Sequence, residues 1–159
     1  MSDWLEDFRH TVEHASGALL EIPEEQAATA QVANKWSPKQ IIGHLIDSAA
    51  NNHQRFVRAQ FTDDLLCPTY EQEAWVESQH YNDEPWAQLV QLWRQYNLHL
   101  AHVMSAAPEA TRTQPRSKHN LDLVAWQTVS SSEPVTLEYL MRDYIGHLKH
   151  HLRQIFERA

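Results

Sequence analysis

Apolar positions recur along the chain at three- and four-residue spacing. Leu5, Phe8, Val12, Ala15 and Leu19 form one such stripe, which predicts a first amphipathic helix that "EIPEE" ends. In "WSPKQ", Ser37 is suited to cap a second helix and Pro38 to occupy its first position; Ile41, Leu45, Ala49 and Phe56 continue the buried stripe to about Phe61. The stretch "TDDLLCPTYEQEAWVESQHY" has mixed polarity and a proline, so a loop with one short helix is expected there. "NDEPW" opens a third helix whose apolar face carries Trp86, Leu89, Val90, Trp93, Leu100 and Met104, and Pro108 marks its end. From Glu109 to Pro134 the pattern is irregular, basic in "RTQPRSKH" and β-favouring in "LVAWQTV", which leaves room for a short hairpin. A fourth helix starts near Val135. The expected architecture is all-α: a four-helix bundle with a long connection between the third and fourth helices.

Length and charge narrow the class. The 159 residues suit one domain, with a core that needs no disulfide. A formal net charge of −8 disfavours a phosphate-tracking nucleic-acid surface and an anionic membrane patch, and no apolar run is long enough to cross a bilayer. The start, "MSDWLEDFRH", is acidic and has no apolar leader-like core, so a cytoplasmic protein is expected. One cysteine, Cys67, excludes an internal disulfide and a cysteine-rich metal knuckle; a metal here would need nitrogen and oxygen ligands. Histidine stands out, with 11 copies against 3 glycines.

Facing direction separates these histidines. At about 100° per residue, Leu137, Leu140, Met141, Tyr144, Leu148, Leu152 and Ile155 define the apolar arc of the fourth helix. His151 falls inside that arc and His147 on its flank one turn earlier, while His150 projects to the solvent side. Two imidazoles at i, i+4 can turn toward one ion, but a divalent metal needs a further ligand. On the second helix His44, Ser48, Asn51 and Arg55 form a polar row on the shoulder of the apolar face. If that shoulder faces the fourth helix, His44 completes a three-nitrogen set that leaves coordination positions open. His10 and His14 share the i, i+4 spacing yet sit opposite their helix's stripe, which makes them an internal control. His99 and His102 fall on a polar side, His53 sits at an edge away from His44, and His80 and His119 lie in expected loops.

Three segments resemble a known family. "WSPKQIIGHLIDSAANNHQRF" is similar to the W-S-x-x-x-x-x-x-H-L-x-D-S signature of the DinB-like (YfiT-like) bundle family, "HLKHHLRQI" to its C-terminal H-x-x-x-H-x-x-Q-I helix, and "CPTYEQEAW" to its P-x-Y loop. Glu71 stands where many members carry aspartate after the loop tyrosine. The resemblance implies a divalent metal on His44, His147 and His151, the set that facing direction selects independently. It also implies a metal-dependent enzyme acting on a small molecule: foremost a transferase joining a low-molecular-weight thiol cosubstrate to an electrophile, alternatively a hydrolase, or in a third reading a non-catalytic metal-binding or ligand-sensing bundle. Three imidazoles suit zinc, nickel, iron or copper, and a homodimer is expected from the family habit of pairing through helices.

The remaining candidates are weaker. Asp47, one turn from His44, is placed to orient its imidazole, with an exposed helix aspartate as the plain reading. Arg55 and Tyr144 flank the expected centre and are candidate catalytic or substrate-binding residues, against a surface ion pair and a core tyrosine. Asn97 reads as a satisfied core amide. Cys67 precedes Pro68 with no evident base, so a bystander thiol is expected. The basic "RTQPRSKH" run reads as a solvated loop.

Overall fold

The structure is a computed structural model and describes residues 2–157. Helix α1 spans Asp3–Leu20 and α2 is the single turn Glu24–Ala27; α3 spans Pro38–Arg58 and continues as a 3-10 turn over Ala59–Phe61. Helix α4 spans Gln72–Gln79 and is followed by a 3-10 turn at Tyr81–Asp83. Then come α5 (Trp86–Ala106), the short α6 (Glu109–Thr113) and α7 (Leu121–Val124), and α8 (Leu137–Glu157). The four long helices are the four the sequence pattern predicts, and they form the bundle.

Helix α3 packs between α5 and α8, and α1 lies on α5. Helix α1 also meets α8, where Phe8 packs edge-on to Tyr144 at 6.3 Å and Lys149 pairs with Asp7. The predicted stripes fill the interior: Phe8, Val12, Leu19, Leu89, Val90, Trp93, Leu100 and Met104 are fully buried. Burial of this kind stabilises by about 1.5–3 kcal/mol per large side chain.

Both ends of α3 are pinned. At its start Ser37 Oγ accepts from Gln40 N at 3.2 Å while Gln40 Oε1 accepts from Ser37 N at 2.9 Å, a reciprocal cap worth about 1 kcal/mol. Lys39 is 3% exposed, and its ammonium donates to Glu24 Oε1 and to the carbonyls of Asn82 and Glu84. This ties α2, α3 and the Tyr81–Asp83 turn together. At the far end Arg116 reaches in from the long connection and donates to the carbonyls of Ala59, Thr62 and Asp64 at 2.7, 3.0 and 3.1 Å. Arg116 is 2% exposed, so this part of the basic run is a buried clamp and not the solvated loop expected.

The hairpin expected between Glu109 and Pro134 does not form, and the described residues contain no strand. Isolated bridges join Arg116 to Val135 and Leu65 to His119. Asn120 bonds both the N–H and the carbonyl of Cys67, and Leu121 is drawn fully into the core as α7 begins. The two ends of the connection thus meet only at single positions, and its middle fastens to the 65–67 loop. Among the described residues no helix is long and apolar enough to cross a membrane.

Candidate metal centre

Helix α3 holds His44 in a tight setting. A Cβ on Gly43 would lie 2.1 Å from the Tyr81 ring, so only glycine lets that ring lie against α3. Tyr81 then donates to Asp47 Oδ1 at 2.6 Å, and Gln79 Nε2 donates to the same oxygen at 2.8 Å. Asp47 is 2% exposed, and burial pushes its carboxyl above the usual range. It makes no hydrogen bond to His44: His44 Nδ1 and Asp47 Oδ2 are both buried without a partner. Asp47 therefore accepts from Tyr81 and Gln79 instead of orienting His44, and at 2% exposure it is not the exposed helix aspartate of the plain reading either. His44 is instead walled by Trp36, whose ring lies 5.0 Å from it.

On α8 the inward pair meets His44. His147 Nε2 lies 3.4 Å from His44 Nε2 and 3.0 Å from His151 Nε2. One ligand atom from each of the three residues lies within 4.8 Å of the others. Two nitrogens each about 2.1 Å from one ion stand about 3.0 Å apart at a right angle and about 3.4 Å apart at the tetrahedral angle. The two distances to His147 thus suit a shared divalent ion. Protonation suits it too: burial, followed by the neighbouring imidazoles, lowers His44 and His147 to about 3, leaving both rings neutral with lone pairs to offer. His151 Nδ1 meets Gln154 Oε1 at 2.8 Å, a contact that favours a proton on Nδ1 and a lone pair on Nε2.

Beside His147 opens a cavity of about 300 Å³. Ser48, Asn52 and Arg55 of α3 line one side, with Tyr70 from the loop before α4; Tyr144, Asp143 and Trp126 are among the other lining residues. Asn52, not Asn51, joins this wall; Asn51 turns back to donate to the Asp47 carbonyl at 2.9 Å. Tyr144 is 4% exposed, sits between Phe8 and Phe56, and gives its hydroxyl proton to Asn97. Its pKa is raised by burial, so the phenol stays protonated and can offer the cavity only an oxygen lone pair. Asn97 in turn donates to the Trp93 carbonyl, which makes it the satisfied core amide expected.

The other histidines separate as follows. His10, His14, His80, His99 and His102 are exposed. His53 bonds the Tyr96 hydroxyl at 2.9 Å, and buried His119 is fixed between the Glu133 carbonyl and the Leu121 N–H. His150 departs from expectation: it is half-buried, its ring 5.3 Å from Trp126, because the long connection folds over that side of α8. Cys67 is 6% exposed, and burial pushes its thiol up, in keeping with a bystander.

Sequence reasoning missed Trp126, Asp143 and Tyr70 at the cavity. Asp143 accepts the backbone N–H groups of Trp126 and Gln127, both at 2.8 Å, and so fastens the connection over the site. Gly146 leaves the room that Trp126 occupies, a Cβ there lying 3.2 Å from the indole. A lone tryptophan in an irregular segment opposite a helical glycine was the available signal.

The family model described as the DinB superfamily matches residues 7–155. The curated protein "Putative metal-dependent hydrolase OB0782" of Oceanobacillus iheyensis is 23% identical over 82 residues, 52% of this chain and 48% of that protein. The chain thus spans about half the length of the curated relative it matches. Among solved structures, YfiT from Bacillus subtilis, described as a probable metal-dependent hydrolase with an unusual four-helix bundle topology, superposes with a TM-score of 0.75. It is 18% identical, with 99% of this chain and 87% of that one covered, a likeness of fold.

Proposed function

The chain belongs to the DinB superfamily, and on that premise we propose that it is a metal-dependent hydrolase of a small molecule, with His44, His147 and His151 holding one divalent ion. The observation that carries the reading is the convergence of three Nε2 atoms, two of them on rings that burial keeps neutral, beside an open cavity. A divalent ion held there would supply Lewis-acid chemistry, polarising a substrate oxygen and easing deprotonation of water. Hydrolysis breaks the bond between the electrophilic atom and the departing group, adding the water's hydroxyl to the former and its other proton to the latter.

The chain's own residues act around that chemistry. The Trp36 ring packs against His44 and the Trp126 ring against His147. Tyr144, its proton committed to Asn97, can accept a hydrogen bond from water or substrate. Ser48, Asn52 and Arg55 line the binding wall, and Asp47 stays behind α3 as part of the Tyr81 anchor.

Thiol transfer is the second reading. It uses the same three histidines but needs a thiol and an electrophile in one space of about 300 Å³, the lower limit for a cavity that takes one drug-sized ligand. The space favours a single small substrate with water. Turnover of a panel of small esters and amides by zinc-loaded protein, with and without added thiol, decides between the two. Dependence on thiol would overturn hydrolysis, and no metal-dependent turnover in either arm would overturn both.

A further inference from the structure

Arg55 carries an uncompensated charge at the cavity. The residue is 7% exposed, and its guanidinium has five N–H donors, of which the structure commits two: one to the Pro68 carbonyl at 3.0 Å and a long one to Asn52 Oδ1 at 3.4 Å. Its Nε is buried with no partner. No carboxylate pairs with it among the described residues. The acids in the neighbourhood are engaged elsewhere, Asp47 by Tyr81 and Gln79, and Asp143 by two backbone N–H groups. A buried guanidinium without an anion is costly to maintain and is ordinarily matched by one.

We infer that Arg55 binds the carboxylate of an anionic small-molecule ligand in the cavity beside the three histidines. A planar guanidinium fork fits a carboxylate with two parallel hydrogen bonds. A phosphate dianion fits less well, because among the described residues Arg55 is the sole lysine or arginine lining the cavity and Asp143 adds a carboxylate to the same walls. Tyr70, Leu140 and Trp126 supply flat apolar surface for the body of such a ligand. The Cα atoms of His44 and Arg55 are eleven residues apart on α3, about 16 Å along its axis. Arginine leans back toward the helix start, which shortens that gap. The ligand's carboxylate therefore sits several bonds from the end that reaches His147.

This inference rests on the hydrolase reading only for which end of the ligand reacts, and its test is independent of the metal. The probes are 3-phenylpropionate and its neutral counterpart 3-phenylpropionamide, titrated by NMR into chelator-treated and zinc-loaded full-length protein. The acid is expected to bind about tenfold or more tightly than the amide in both preparations, since a charge-assisted pair replaces a neutral bond. Arg55→Met is expected to erase that preference and Arg55→Lys to keep part of it, with circular dichroism reporting the fold of each. The wild-type acid-to-amide comparison stands even if Arg55→Met does not fold. Equal binding of acid and amide by wild type, or an intact preference in folded Arg55→Met, overturns the inference; so does inorganic phosphate binding as tightly as the acid. If zinc fails to bind while the preference holds, the three-histidine reading falls and the Arg55 assignment survives.

Discussion

Replacing His147 by alanine removes the middle nitrogen of the three, the one within 3.0 and 3.4 Å of its neighbours. Metal binding to four-ligand protein sites is worth about 10–16 kcal/mol, or about 3 kcal/mol for each ligand. Loss of one therefore weakens affinity on the order of a hundredfold. At zinc one hundred times the wild-type dissociation constant, binding stabilises the folded protein by about 2.7 kcal/mol. For a chain of this size that raises the melting temperature by roughly 5–10 °C. In His147→Ala the same zinc concentration only matches the weakened dissociation constant, giving about 0.4 kcal/mol and a shift of about 1 °C. His10→Ala is the control, being exposed on α1 with the same i, i+4 relation to His14. The assay is thermal unfolding of tag-free protein with and without zinc, each variant compared with its own zinc-free baseline. A full-sized shift in His147→Ala, or its loss in His10→Ala, refutes the assignment of the ligands.

Three further outcomes follow from the packing. Gly43→Ala places a Cβ 2.1–2.4 Å from the Tyr81 ring, and displacing that ring breaks its bond to Asp47. Despite the better helix propensity of alanine it should destabilise by about 1–3 kcal/mol in urea unfolding, and an unchanged midpoint contradicts the contact. Arg116→Met leaves the carbonyls of Ala59, Thr62 and Asp64 without their donor and should cost about 3 kcal/mol by the same measurement, whereas a solvated arginine would change it by less than about 0.5 kcal/mol. Cys67 should react with iodoacetamide far more slowly than a free thiol at pH 8. Burial raises its pKa, so the reactive thiolate is scarcer at that pH and grows as pH rises; a rate equal to that of the urea-unfolded chain would show an open thiol.

Periodicity made the four long helices and the inward pair on α8 legible, because a helix's angular order fixes which side chains share a face. His44 followed from the same reasoning once α3 was placed against α8. Angle alone does not say which flank of a face a neighbour leaves open. Asn51 and Asn52 lie on either side of the His44–Arg55 line, and only packing selects Asn52 for the cavity. Asp47 illustrates a second limit: its partners, Tyr81 and Gln79, arrive from more than thirty residues away, and no local pattern announces them. The hairpin expectation failed for a related reason. The β-favouring run is short, and its nearest polar anchor, Asn120, is held by the Cys67 backbone.

The division of labour along α3 explains how the bundle holds a buried arginine with no carboxylate partner among the described residues near the desolvated imidazoles of His44 and His147. His44 lies toward the capped start, where Ser37 and Lys39 fix the helix, and Arg55 near the end that Arg116 clamps. A helix held at both ends keeps polar side chains in register even though their local environment opposes their burial, which is what a preorganised site requires. The opposing wall is of a different kind. Leu123 and Trp126 come from the irregular connection, are 72% and 40% exposed, and are tied down chiefly through Asp143. Changes at Leu123 and Trp126, away from the Arg116 clamp, should alter which ligands fit while leaving the imidazoles and Arg55 in place, so ligand range and metal binding are separable properties of this fold.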